Sequence, residues 1–228
     1  MNKHTSAEKS NQEFWAKHAA TSPIFYPDER LVAMLSAKRK KWSSDANPSG
    51  LDIGFGSGRH LKLMIDLKVN AYGIEYNRDA IEATRLALGS TPYVKDMWLG
   101  DYRSFDFPRM FDIMIAWGVL FLAPQTEIEQ SLRKLSRSLS DDGSLYINFR
   151  TKDNWFYRLG DELAPDTYLL DERAGPLAGT TYTFLEFPEI QDLLTRSGLK
   201  IQNAERVDLW KNNCQEQNSW YLCEVTRA

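Results

Sequence analysis

Leu51-Asp52-Ile53-Gly54-Phe55-Gly56-Ser57-Gly58 is the stretch on which the reading of this sequence turns. Leu51-Asp52-Ile53 reads as a short strand running into a glycine turn, and Gly58 to Leu67 as the helix behind it. Glycines at such a turn let the backbone approach a ligand with no Cβ in the way, and a helix N-terminus favours an anion or polar head group. The spacing narrows the choice. A dinucleotide fingerprint G-x-G-x-x-G needs glycine at position 59, where Arg59 stands, and normally has no acid such as Asp52 inside its first strand. The pattern here is acid-x-G-x-G-x-G.

Outward from that turn, strands and helices alternate. Ala71 to Glu75 reads as a second strand, Asn77 as the N-cap of a helix through Leu88, Tyr93 to Met97 as a third strand and Phe111 to Ala116 as a fourth. Ile128, Leu132, Leu135 and Leu139 mark one helix face, and Asp141-Asp142-Gly143 turns into a fifth strand, Ser144 to Phe149. Strands regularly separated by helices predict a mainly parallel sheet covered on both faces, a doubly wound α/β architecture. A short helix around Ile190, Leu193 and Leu194 ends at Gly198. Two strand-like runs, Ile201 to Trp210 and Trp220 to Val225, then flank the polar loop Lys211 to Ser219 as an antiparallel hairpin, which brings the sheet to seven strands.

Two segments stand outside this alternation. Residues 1–49 read as an N-terminal helical annex, in which Asp28 to Trp42 opens with acids and closes on Lys38-Arg39-Lys40-Lys41, the polarity that suits a helix macrodipole. Residues 151–184 form an insert after strand five, broken by Pro165, Gly175, Pro176 and Gly179 and rich in aromatics; it reads as an irregular lid or specificity wall. The 228 residues are thus read as one domain with two additions.

Composition excludes several functions. With 28 Lys and Arg against 31 Asp and Glu, the net charge of −3 offers no overall positive field for a polyanion, so DNA is not an expected partner. The longest uncharged run, Ile113 to Thr126, is too short to span a bilayer, and no leader is visible at the start, so no membrane association and a cytoplasmic location are expected. The two cysteines, Cys214 and Cys223, make no metal motif, and the three histidines are far apart; no metal is expected.

From the glycine motif onward, the sequence resembles the class I S-adenosylmethionine-dependent methyltransferases, especially the branch acting on small molecules, over about Gly50 to Val225. Glu75 ends the second strand in Tyr72-Gly73-Ile74-Glu75-Tyr76-Asn77, seventeen residues past Gly58, where the family places an acid on the ribose hydroxyls. Gly100-Asp101-Tyr102 stands where the family has an acid accepting from the adenine amino group. Phe111 to Gly118 looks like the fourth strand and the loop beside the reactive methyl. The resemblance therefore implies S-adenosylmethionine as cofactor, S-adenosylhomocysteine as product, and a cofactor site of Asp52, Gly54, Phe55, Gly56, Ser57, Gly58, Glu75, Tyr76, Asp101, Tyr102 and Trp117. Phe55 stands where the family often has a small residue, which reshapes the loop wall. Trp117-Gly118-Val119-Leu120 replaces the Asn/Asp-Pro-Pro-aromatic sequence of the amine-methylating members that act on nucleic acid and protein, so DNA and glutamine N-methylation are disfavoured.

The expected reaction is in-line methyl transfer to a small-molecule acceptor, in which alignment and water exclusion do most of the work. No catalytic residue is assigned; His60 and His18 are each weighed as a base and neither is chosen. Tyr26, Arg150, Trp155 and Tyr168 are the candidate substrate residues. Arg150 has two readings, an anion-binding group for the acceptor or a structural link to Asp153 or Asp161. The rival function classes are an NAD-dependent oxidoreductase and a non-catalytic cofactor-binding module, with RNA methylation a lesser possibility supported only by Lys38 to Lys41. Neither the oligomeric state nor the acceptor's identity is legible.

Overall fold

The computed structural model describes residues 14–15 and 24–228. Most of the early part of the expected annex, His18 included, lies outside the described residues. Helix α1, Glu29–Arg39, begins at the acid that the sequence offers as its cap: the Asp28 side chain accepts from the backbone N–H groups of Arg30 and Leu31, and Leu31, Met34 and Leu35 are buried. The basic end of α1 is used inside the fold. Lys38 Nζ donates to Asp142 O at 2.8 Å and Ser144 Oγ at 3.0 Å, and Arg39 Nε to Leu67 O at 2.9 Å.

Two compact units divide the chain. Residues 24–116 with Arg137–Tyr146 make the first. It holds β1 (Ser49–Ile53), α2 (Arg59–Asp66), β2 (Asn70–Glu75), α3 (Arg78–Leu88), β3 (Val94–Leu99), β4 (Phe111–Ala116) and the first part of β5 (Leu139–Arg150), after α1. β1 pairs in parallel with β2 on one side and β4 on the other, and β2 pairs in parallel with β3. Every residue of β1 and β2 is buried, as expected of inner strands with both faces covered. Apolar residues such as Leu51, Ile53, Ile74, Ile113 and Ile115 supply the driving force, about 1.5–3 kcal/mol for each fully buried side chain. The polar residues of these strands are satisfied locally: Asp112 accepts from Ser49 N at 2.8 Å, Ser49 Oγ at 3.0 Å and Ser140 Oγ at 3.0 Å, joining three strands through one carboxylate.

Trp15, Trp117–Ser136 and Ile147–Ala228 belong to the second unit. After α4 (Gln125–Arg137) and the end of β5 come β6 (Gly160–Ala164), β7 (Thr167–Leu170), β8 (Thr181–Thr183), α5 (Phe187–Arg196), β9 (Leu199–Lys211) and β10 (Glu216–Arg227). β9 and β10 form the expected antiparallel hairpin, and the full strand order β3-β2-β1-β4-β5-β10-β9 is the seven-stranded, mainly parallel, Rossmann-like sheet expected from the alternation.

Three local expectations are corrected. The insert is not irregular: β6, β7 and β8 form a small antiparallel sheet of their own, with Phe121, Phe156, Tyr168, Leu170, Tyr182 and Phe184 as its core. Strands of three to five residues leave too few alternations to be read from sequence. β5 starts at Leu139, so Leu139 belongs to the strand and not to the helix face, and Asp141-Asp142-Gly143 does not interrupt it. Phe111 N already bonds Ser138 O at 2.8 Å, which brings the chain beside β4 as soon as α4 ends. Gly143 serves packing, since a Cβ there would lie 2.7 Å from Phe111 O. The hairpin loop is shorter than expected, because positive φ at Asn212, Asn213 and Cys214 turns the chain tightly enough to pair Lys211 with Glu216. Among the described residues no helix is long and apolar enough to cross a membrane.

Candidate functional site

The glycine turn between β1 and α2 is shaped by three positive φ angles, 65° at Gly54, 51° at Gly56 and 75° at Gly58. Gly58 caps α2, and a Cβ on it would come within 2.3 Å of Thr84 Cγ2. Among the described residues a Cβ on Gly56 would meet no atom within 4 Å, so this residue presents bare backbone to open space. Its amide and carbonyl are held: Gly56 N donates to Glu75 Oε2 at 3.0 Å, and Gly56 O accepts from Thr84 Oγ1 at 3.0 Å. Thr84 was invisible as a site residue in the sequence, lying mid-helix with no motif around it.

Glu75, the last residue of β2, is 6% exposed. Its other oxygen accepts from Asn77 N at 3.1 Å, and Asn77 in turn caps α3 through Asp79 N and Ala80 N. Burial pushes the carboxyl above its ordinary value, with the backbone bonds from Asn77 and Gly56 pulling the other way. A carboxylate has about four acceptor positions, so these backbone donors orient it without exhausting it. Tyr76 follows at the surface, its phenol pushed well up by burial and by the Glu75 charge.

Asp52, 1% exposed in β1, faces His60 across 3.7 Å, beyond hydrogen-bond length. Among the described residues Asp52 Oδ2 and His60 Nε2, both buried, have no hydrogen-bond partner. A buried carboxylate oxygen without a donor is costly, and a ligand amine would satisfy it. The Phe55 ring does not reach the loop wall that the sequence suggested. It is 4% exposed and fills the hollow over Gly73, where a Cβ would lie 2.5 Å from the ring, so the large residue in the turn and the glycine in β2 fit as a pair. At the end of β3, Asp101 is gripped by Arg103 through two parallel bonds, Nε to Oδ1 at 3.0 Å and Nη2 to Oδ2 at 2.6 Å, a partner the sequence reading passed over although the two lie two residues apart. Tyr102 lies between them in the turn after β3.

Residues 51–143, which hold all of these groups, match a family described as a methyltransferase domain. That stretch is similar to a methyltransferase domain. S-adenosylmethionine is the cofactor of such domains, and the residues fit it: an unpartnered buried carboxylate for an amine, bare glycine backbone beside open space, and an oriented carboxylate for hydroxyl donors. The fold agrees. A Methanosarcina mazei S-adenosylmethionine-dependent methyltransferase superposes with TM-score 0.65 at 18% identity over 79% of this chain and 93% of that one. The CcbJ methyltransferase of Streptomyces caelestis gives 0.65 at 17% identity over 93% and 96%. The Synechocystis magnesium protoporphyrin IX methyltransferase, solved with its cofactor bound, gives 0.59 at 16% over 87% and 79%. No curated protein matches the sequence.

The segment before α1 is tied to the glycine turn of the matched region. Ser57 Oγ donates to Ile24 O, and Arg59 Nη1 to Tyr26 O at 3.3 Å. Tyr26 is engaged through its carbonyl, while its side chain is 84% exposed. Burial lowers the Arg59 pKa, with the Asp52 and Asp28 charges opposing that shift.

The second unit contains the other expected residues. Trp117 is buried directly after β4, and Gly118, at φ 80°, donates its N–H to Asn148 Oδ1 at 2.7 Å. Tyr168 is buried in the core of the insert, its ring edge-on to Tyr157, and Trp155 packs tilted on Phe156 at 4.3 Å. Arg150 is not the structural link to Asp153 that sequence offered: Asp153 pairs with Arg206 at 2.6 Å, and the Arg150 guanidinium lies among aromatic rings. Among the described residues no cluster of His, Cys, Asp or Glu could hold a metal ion.

Proposed function

We propose that this protein methylates a small-molecule acceptor, with Asp52, Gly54 to Gly58, Glu75 and Asp101 holding the cofactor. The observation that carries the reading is the Gly56–Glu75 pair beside the unpartnered Asp52 oxygen. A bare backbone turn, an oriented carboxylate and an orphaned acceptor lie within one compact unit. When bound, S-adenosylmethionine supplies an electrophilic methyl group on a sulfonium, so the protein's task is to position and to exclude water. Asp52 would accept from the amine of the methionine moiety, Glu75 from the ribose hydroxyls, and Asp101, oriented by its Arg103 pair, from the adenine amine. Trp117 and Gly118 supply the loop after β4, held by Asn148. No side chain is assigned as a base, which matches a reaction that orientation alone can carry for a neutral amine or a thiolate.

Support for a small acceptor comes from the net charge of −3, which offers no field for a polyanion, and from the Synechocystis neighbour, whose name gives a porphyrin as substrate. Calorimetry with S-adenosylhomocysteine tests the cofactor assignment: micromolar binding is expected, weakened about 10- to 100-fold by Glu75→Ala through loss of charge-assisted bonds. Incubation of the protein with methyl-labelled cofactor and a cell extract tests the acceptor. Label is expected in the filterable small-molecule fraction; label confined to RNA or protein would overturn the proposal.

A further inference from the structure

Arg150, the last residue of β5, is 8% exposed, and no carboxylate among the described residues pairs with it. Its guanidinium carbon lies 4.5 Å from the Tyr182 ring centroid, 5.2 Å from those of Phe121 and Phe156, and 5.3 Å from that of Trp220. The Tyr182 side chain hydrogen-bonds the guanidinium, but Nε and Nη1 are buried with no hydrogen-bond partner among the described residues. Two acids of the following segment are engaged elsewhere, Asp153 by Arg206 and Asp166 by Lys152. Cation–π contacts offset part of the desolvation of a guanidinium, yet they satisfy no N–H. A buried cation with unmade hydrogen bonds and no counter-ion is a costly arrangement for a fold to keep for packing alone, because an apolar side chain of similar volume would fill the same space without that cost.

We infer that the aromatic cage around Arg150 is a binding site for the carboxylate of an aromatic or otherwise flat acceptor molecule. The planar N–H donors of the guanidinium match a carboxylate, and the surrounding ring faces match an apolar body attached to it. Three of the four rings, Phe121, Phe156 and Tyr182, are buried, whereas Trp220 is partly exposed. Arg150 ends a strand of the sheet, and ligands of open α/β sheets bind outside the carboxyl ends of the strands. The inference rests on the small-molecule methylation proposed above and names the chemical class of the acceptor.

The test uses the full-length protein saturated with S-adenosylhomocysteine, with benzoate as the probe and benzamide as its neutral isostere. Binding is read from Trp fluorescence and from the shift in thermal midpoint. Benzoate is expected to give a saturable change at both readouts and benzamide a response at least about tenfold weaker. Arg150→Met is expected to abolish the difference between the two probes, and Arg150→Lys to keep it in weakened form, a point charge in place of a planar fork. Equal responses to benzoate and benzamide in the native protein, or an unchanged preference in a folded Arg150→Met, would overturn the inference. Because the first comparison needs no variant, misfolding of Arg150→Met does not remove the test. The cofactor step is scored separately: loss of S-adenosylhomocysteine binding would count against the methyltransferase site, whereas intact cofactor binding without discrimination between the probes sinks only the carboxylate site.

Discussion

Gly56 and Gly58 occupy the same turn and have different jobs. Both hold positive φ, so alanine at either is expected to lose about 1 kcal/mol from backbone strain. Gly58→Ala also drives a Cβ to 2.3 Å from Thr84 Cγ2, which adds about 1–3 kcal/mol of overpacking. Urea midpoints should therefore fall further for Gly58→Ala than for Gly56→Ala, whose Cβ meets only open space. Glu75 supplies the second expectation at this scale. Its carboxyl is raised by burial above the ordinary 4.5, so it takes up a proton at higher pH than an exposed glutamate. On the proposed role, affinity for S-adenosylhomocysteine depends on the ionised form and should fall as pH drops through that raised value, while the profile of Glu75→Gln stays flat over the same range. The cysteines give a third. Cys223 is fully buried, its thiol pushed up to about 12 by desolvation, and Cys214 is exposed. A chromogenic thiol reagent should titrate one thiol in the native protein and two in denaturant. Of these residues, the glycines stood out in the sequence because their spacing at a strand-to-helix turn is fixed by local chain geometry, and Glu75 through the family resemblance. Thr84 and Arg103 were not, since nothing in a sequence shows which side chain will face a turn.

At the scale of elements, the insert is joined to α5 by a small ionic cluster. Lys152 Nζ lies 2.9 Å from Asp166 Oδ2, in the β6–β7 turn, and 2.9 Å from Glu189 Oε1, whose other oxygen accepts from Glu186 N at the start of α5. Tyr157 OH adds a bond to Asp166 Oδ1 at 2.7 Å. Burial raises the Asp166 pKa, but Lys152 and Tyr157 outweigh it, leaving the carboxyl below its ordinary 3.8. For Lys152 burial acts downward and the two carboxylates prevail, leaving it above its ordinary 10.5. A depressed acid contributes stability above its unfolded value that is lost as pH falls through the folded one; a raised base contributes below its unfolded value and loses it as pH climbs through the folded one. The cluster thus contributes across the neutral range and fails at both ends. Asp166→Asn is expected to lose about 1 kcal/mol at pH 7, after discount for its partial exposure, and to show a shallower loss of stability below pH about 4 than the native protein in urea titrations. The insert's three short strands could not be read from sequence because their pairing is set by these contacts and by the aromatic core, not by local alternation.

For the whole molecule, the division into two compact units sorts the expected responses to ligand. All the residues expected at the cofactor except Trp117 belong to residues 24–116 and Arg137–Tyr146, whereas Arg150 and its four rings belong to the other unit. Hydrogen exchange should slow on addition of S-adenosylhomocysteine mainly in the turns around residues 54–58, 75–77 and 100–102. The thermal midpoint should rise with concentration, by about 2.7 kcal/mol of stabilisation at a hundredfold excess over Kd. The acid-x-G-x-G-x-G turn, the strand-helix alternation and the terminal hairpin were determined by the sequence alone. Each depends on periodicity, glycine freedom and capping within a few residues of itself, and the opening stretch Leu51 to Gly58 holds most of that information. The tertiary structure decided what depends on distant residues meeting. It turned Phe55 into the hollow over Gly73, bound Asp101 to Arg103, gave Asp153 to Arg206, and left the Arg150 guanidinium caged by rings from four separate segments. Whether a buried charge finds a partner depends on which side chains the completed fold brings within about 3 Å of it, and sequence spacing does not encode that distance.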